Sequence, residues 1–145
     1  RSVRFYTQVM GFRVSDAYPE SMMPGGMAFI RCNNDHHGIA LIGGGTGEVS
    51  NSELHHFAFE VGTVEEVFKA RDHLHGHGVA LHFEGRRRAG QQIAIEFKDP
   101  DGHNLEICWG MDRIAPHDAS RPPEEWREAK TLEEAVGNPP PGQEI

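Results

Sequence analysis

The sequence predicts an α+β fold: two βαβββ modules whose strands form a cupped, mixed sheet with helices outside. Three observations carry this prediction. Seven short runs alternate apolar and polar residues, as half-buried strands do. Two longer segments repeat their apolar residues at helical spacing. The two halves of the chain also align on one offset.

The elements follow in order. RSVRFYTQVMGF reads as a helix ending near Gly11, with Val3, Phe5 or Tyr6, and Val9 or Met10 at helical spacing and glycine as the stop. FRVSDAY is the next strand. PESMMPGG is a turn-rich loop, and its Met22 and Met23 could be core, lid or pocket wall. GMAFIRC and HGIALIG are two strands joined by NNDH. Gly43 to Gly45 and Gly47 mark a connector; GGGTG lacks the GK[ST] and the βαβ context of a phosphate loop. LHHFAFEV then opens the second half as a strand. Phe57, Phe59 and Val61 share a core-like face with His55, and His56, Ala58 and Glu60 share the other. VEEVFKARDHLHGHG is an amphipathic helix on Val64, Val67, Phe68, Ala70 or Arg71, and Leu74. VALHFEG, QQIAIEFKD and HNLEICWG are strands, the last two joined by a PDG turn. After Gly110 the chain becomes proline-rich and charged. One short helix is expected near Thr131 to Val136, capped by Thr131 with Glu134 closing a capping box. The tail reads as a surface arm or partner clamp, in part disordered.

The repeat sets the organisation. His37 falls on His103 and Ala40 on Glu106 at an offset of 66 residues (103 − 37 and 106 − 40). This divides the chain into a first module over 1–45, a second over 46–110 and an arm over 111–145. LHHFAFEV has no counterpart in the first module. The offset puts the partner of His56 about ten positions upstream of Arg1.

Bulk composition narrows the function classes. The 145 residues, 37% of them hydrophobic, suit one compact domain with loop or tail. Fourteen basic against twenty-two acidic residues give a formal charge of −8, which argues against a nucleic-acid partner. The one basic cluster, Gly85 to Arg88, is either a solvated turn or an anion contact near a site. Cys32 and Cys108 offer no disulfide framework and suit a reducing, cytoplasmic setting. No apolar run is long enough to span a membrane.

Alternation also places the chemistry. On the last strand Leu105, Ile107 and Trp109 share one face, and Asn104, Glu106 and Cys108 the other. On the strand before it Ile93, Ile95 and Phe97 face the core, and Gln92, Ala94 and Glu96 face away. His56, Glu96 and Glu106 are thereby expected to line one concave surface. An imidazole and a carboxylate converging there are two thirds of a facial triad, which leaves positions on Fe(II) open. The plainer alternative for Glu106 is a surface carboxylate facing an edge.

RSVRFYTQVMGF, DHHGIAL, LHHFAFEV and FKDPDGHNLEI together resemble the vicinal oxygen chelate superfamily of glyoxalases, fosfomycin-resistance proteins and extradiol dioxygenases. The resemblance covers almost everything up to Gly110. It implies His56 and Glu106 as metal ligands, with a further His in the expected upstream strand. It implies Fe(II) or Mn(II), with Zn or Ni as alternatives, a small-molecule substrate that chelates through adjacent oxygens, and a homodimer. A glyoxalase-type site would need a fourth ligand where the repeat puts Ala40, so the resemblance favours the dioxygenase branch. In that branch DHHGIAL holds a supporting active-site histidine, here His37, whose alternative is a simple turn histidine. The family's active-site His nineteen residues before the last ligand falls on Arg87, and its Tyr ten residues before falls on Glu96. Arg87 cannot shuttle protons at neutral pH but can hold an anion. Glu96 could serve as a base or bind the metal. An isomerase on the same metal, and a metal-free binding protein walled by Met22, Met23 and Met27, are the alternative functions.

Overall fold

The structure, a computed structural model, describes residues 1–45 and 55–145. Gly47 of the expected connector and Leu54 of LHHFAFEV lie outside the described residues. The chain divides into two compact units. One comprises Arg1–Leu54 with Asp99–His103, the other His55–Lys98 with Asn104–Ile145.

The first unit begins with helix α1, Ser2–Arg4, which widens into a π-helical turn over Phe5–Val9. The wider turn lets two adjacent aromatics, Phe5 and Tyr6, both turn inward, where strict helical spacing would bury one of them. Tyr6 packs between Phe5 and Phe12, at centroid distances of 5.4 and 5.8 Å. Its hydroxyl donates to Asp99 Oδ2 at 2.9 Å. Burial, then the Asp99 charge, pushes that hydroxyl's pKa far up. Asp99 also accepts from the backbone N–H groups of Asp101 and His103, so the DPDG turn belongs structurally to this unit. Three antiparallel strands follow in the order β1-β2-β3: Arg13–Tyr18, Met27–Arg31 and Ile39–Ile42.

In the second unit β4, Phe57–Glu60, runs parallel to β7, Asn104–Trp109. The sheet order is β4-β7-β6-β5, with β5 at Leu81–Arg86 and β6 at Ile93–Lys98. Helix α2, Val64–Gly76, buries Val64, Val67 and Leu74. At its start Glu66 Oε2 accepts from the N–H of Thr63 at 3.0 Å, satisfying a donor the first helical turn leaves unpaired. Ile93, Ile95, Phe97 and Leu105 are fully buried, as their alternation predicts. The expected core residue Phe57 is not: it is 46% exposed, because β4 is an edge strand and Phe57 its first residue.

The repeat survives with one correction. Phe29 lies opposite Ala40, and Glu96 opposite Glu106. The first pair is 11 residues apart in sequence and the second 10, so β3 keeps the offset of 66 while β2 needs 67. The extra residue sits in the NNDHHG loop. Ala40 remains the counterpart of Glu106. β1 follows β2 at 67, and both modules carry a bulge at the matching place, between Val14 and Asp16 and between Leu81 and Phe83.

The tail is not a loose arm over its helical part. Ala129 pairs antiparallel with Arg86 on the open side of β5, with N–H to O distances of 2.9 and 3.0 Å. Helix α3, Leu132–Gly137, buries Leu132 and Ala135. Thr131 caps it by accepting from the N–H of Glu134 at 3.1 Å. The return bond of the expected box goes one residue earlier, from the N–H of Lys130 to Glu134 Oε2 at 2.8 Å. Thr131→Ala is expected to cost about 1 kcal/mol, read as a lower urea midpoint at unchanged slope.

Candidate functional site

Period-two alternation brings His56, at the head of β4, and Glu106, on β7, to the same side of the second sheet. Ala58 is the β4 residue opposite Glu106, and its small side chain leaves the space between them open. His56 Nε2 lies 3.4 Å from Glu106 Oε2. Glu106 is buried, at 3% exposure, while His56 is more than a third exposed. Gln92 Nε2 donates to the other carboxylate oxygen, Oε1, at 3.0 Å, which fixes the carboxylate plane and leaves Oε2 directed at the imidazole. Cys108, two residues on along the same face, is fully buried. Burial, with the charges of Glu106 and Glu60, pushes its thiol up to about 12, so it stays protonated at neutral pH.

Glu96 and Arg87 also reach this face, but bound to each other. Arg87 Nε and a terminal nitrogen bridge both oxygens of Glu96 at 2.5 and 2.9 Å. The guanidinium stands 3.9 Å over the ring of Phe83, which itself lies opposite Glu96 in the sheet. Burial raises the Glu96 carboxyl, but the Arg87 bridge, with His82 and His56, more than offsets this and holds it below the usual carboxylate range. His37 belongs to the first unit. It is exposed, with Nδ1 2.9 Å from that of His36 and its ring 4.9 Å from that of Phe29.

The basic cluster resolves into three separate jobs. Arg86 is fully buried on the opposite face, Arg87 bridges Glu96, and Arg88 reaches Glu128 at 3.2 Å. Sequence reasoning missed His82, whose Nε2 lies 3.4 Å from Glu96 Oε2. The signal was in the alternation of VALHFEG, which puts His82 on the face away from Leu81, and a regular ladder continued from the Leu81–Phe97 pair sets His82 opposite Glu96.

A divalent ion fits between His56 and Glu106. Nitrogen and oxygen ligands about 2.1 Å from a metal, on neighbouring positions, sit about 3 Å apart. An imidazole nitrogen and a carboxylate oxygen at 3.4 Å need only a small adjustment. Among the described residues no group of three or more His, Cys, Asp or Glu side chains is placed to hold a metal. In the first unit an open concavity of about 970 Å³ is lined by Tyr18, Met27, Ala40, Asp101 and His103 among others. Met22, for which the sequence leaves core, lid and pocket wall all open, is 66% exposed.

Residues 1–107 match the Glyoxalase/Bleomycin resistance protein/Dioxygenase superfamily. The chain belongs to that superfamily. A biphenyl-2,3-diol 1,2-dioxygenase from Metapseudomonas furukawaii is 26% identical over 94% of the chain and 46% of its own length. A manganese-dependent 2,3-dihydroxybiphenyl 1,2-dioxygenase from Geobacillus genomosp. 3 is 34% identical over 57% of the chain and 26% of its own length. The chain thus spans less than half the length of these curated relatives. Among solved structures, a fosfomycin resistance protein from Listeria monocytogenes superposes with a TM-score of 0.61. It is 20% identical over 75% of the chain and 82% of its own, a likeness of fold. Among the described residues, no helix is long and apolar enough to cross a membrane.

Proposed function

We propose that this member of the superfamily forms part of a metal-dependent enzyme of the extradiol dioxygenase kind, acting on a small substrate that presents two adjacent oxygens. The observation that carries the reading is the convergence of His56 Nε2 and Glu106 Oε2 at 3.4 Å on a sheet face. The dioxygenase relatives support the reaction class, and the manganese-dependent one supports Mn(II) beside Fe(II) as the ion, with Zn or Ni the less favoured choices. A third ligand is proposed on the strand the repeat places upstream of Arg1.

When bound, the ion supplies Lewis-acid polarisation of chelating oxygens and, if iron or manganese, a redox centre. The chain's own residues do the rest. Gln92 orients the Glu106 carboxylate toward the imidazole. The partly exposed imidazole and the buried carboxylate leave the solvent side of the pair open to a ligand. An isomerase would use Glu96 as the base that moves the substrate proton. The Arg87 bridge favours the carboxylate form and weakens it as a base, so the dioxygenase reading is preferred. The metal-free binding reading has support in Met27, which lines the concavity of the first unit, but it leaves the His56–Glu106 pair without a role.

The test is metal analysis of the full-length protein followed by oxygen uptake on a panel of catechols. Uptake with at least one catechol, lost in His56→Ala, is expected. A protein that holds its ion and consumes no oxygen with any catechol is not a dioxygenase.

A further inference from the structure

Two carboxylates face each other across adjacent strands on the site side of the second sheet. Glu96 and Glu106 are direct partners in the β6–β7 ladder. Opposed positions put Cβ atoms roughly 5 Å apart, close enough for both side chains to reach one cation. Yet they are treated differently. Glu106 keeps Oε2 toward His56. Both oxygens of Glu96 are engaged by the Arg87 guanidinium.

The hold on Glu96 is built from both strand ends. Arg87, just past β5, takes Oε1 and Oε2 in a two-point bridge and rests on Phe83. His82 closes on Oε2 from the other side at 3.4 Å. At this point β5 advances two residues, Leu81 to Phe83, while β6 advances one, Phe97 to Glu96, so that Phe83 as well as His82 meets Glu96. The bulge turns Phe83, and by alternation Arg87 beyond it, onto the face of Glu96. The first module has the same bulge, with Ser15 as its extra residue and Phe29 where Glu96 would be. The bulge is therefore part of the unit, and the His–Glu pairing at it is particular to the second module.

We propose that His82 and Arg87 are specificity-determining residues: they form a clamp that withholds Glu96 from the ion, so that Glu106 alone supplies carboxylate. The clamp sets the charge and hardness of the ligand set. One carboxylate beside imidazole suits iron or manganese with positions left open for substrate. A second carboxylate would fill one of those positions and favour harder, oxygen-seeking ions. The inference rests on the metal reading above and adds to it which residue is kept off the metal.

The experiment uses the full-length protein and Mn(II) alone as probe. Affinity is read by the free Mn(II) spectrum, and metal-bound water is counted by water-proton relaxation. The clamp is released by His82→Gln with Arg87→Met, at positions exposed enough to tolerate change; thermal melts check folding. Release is expected to tighten Mn(II) binding about tenfold or more and to remove one bound water. Adding Glu96→Gln should reverse both. Unchanged or weaker binding in the released protein overturns the clamp. So does tighter binding with the water count unchanged, since Glu96 then acts only as a distant charge. If the parent holds no Mn(II), the released protein must gain binding that depends on Glu96, or the clamp is wrong. Failure of the metal reading shows separately, as parent binding indifferent to His56→Ala and Glu106→Gln.

Discussion

Glu106→Gln in the full-length protein is expected to lower affinity for Mn(II) or Fe(II) on the order of a hundredfold or more, while leaving the metal-free protein folded. Removing a side chain that merely orients a metal ligand costs about 10- to 100-fold, and loss of a charged ligand itself should exceed that. The amide keeps the shape of the carboxylate and can still accept from Gln92 Nε2, now at 3.0 Å from Oε1. It removes a charge that is nearly enclosed, at 3% exposure. Burying a carboxylate opposes folding unless it is compensated. Metal-free stability should therefore change by less than about 1 kcal/mol in either direction. Equilibrium dialysis against the metal and urea unfolding in chelator give the two readouts. A large loss of metal-free stability with metal affinity retained would make Glu106 a structural carboxylate facing His56, and the metal centre would have to be sought elsewhere.

Much of this site was legible because strands obey a period of two. His56, Glu96 and Glu106 could be placed on one face from sequence, and the structure puts His56 and Glu106 in reach of each other and Glu96 opposite Glu106. Illegible were the features that break the period. The bulge after Leu81 turns Phe83 and Arg87 onto the face of Glu96. One extra residue in NNDHHG splits the repeat offset between β2 and β3. A π-helical turn buries both Phe5 and Tyr6. The pairing of Arg87 with Glu96 was also out of reach, because sequence shows two charges and not that each is the other's partner. The tail's short helix and its Thr131 cap were legible, but its docking was not. Its prolines and charges resemble those of a disordered segment, and the residues that pin it lie some forty to fifty positions earlier, in GRRR.

That pin makes the second large prediction: Arg86→Met is expected to destabilise the protein by about 3 kcal/mol and to loosen residues 127–143. Arg86 is fully buried, and among the described residues its donors reach neutral acceptors. Nε meets the carbonyl of Gln91 at 3.0 Å. The terminal nitrogens meet the carbonyls of Asn138 and Ala135, both at 2.8 Å, and Gln143 Oε1 at 2.7 Å. Burial, with Arg121 nearby, lowers the guanidinium pKa, so the environment gives its charge little help and the hydrogen bonds must carry the arrangement. Methionine fills much of the volume but leaves buried acceptors without donors, at about 1–3 kcal/mol each before relaxation. Lysine offers one ammonium to partners spread around a planar fork and should recover less than half of the loss. The tail depends on the same corner a second way. Gly85 has φ +122°, and an added Cβ would stand 2.3 Å from the carbonyl oxygen of Ala129. Gly85→Ala should therefore open the Arg86–Ala129 pairing and expose the same segment. Urea unfolding with limited proteolysis around Arg127 measures both. Arg86→Met within about 1 kcal/mol of the parent, with residues 127–143 still protected, would mean that Leu132 and Ala135 alone hold the tail and that the buried guanidinium is a passenger.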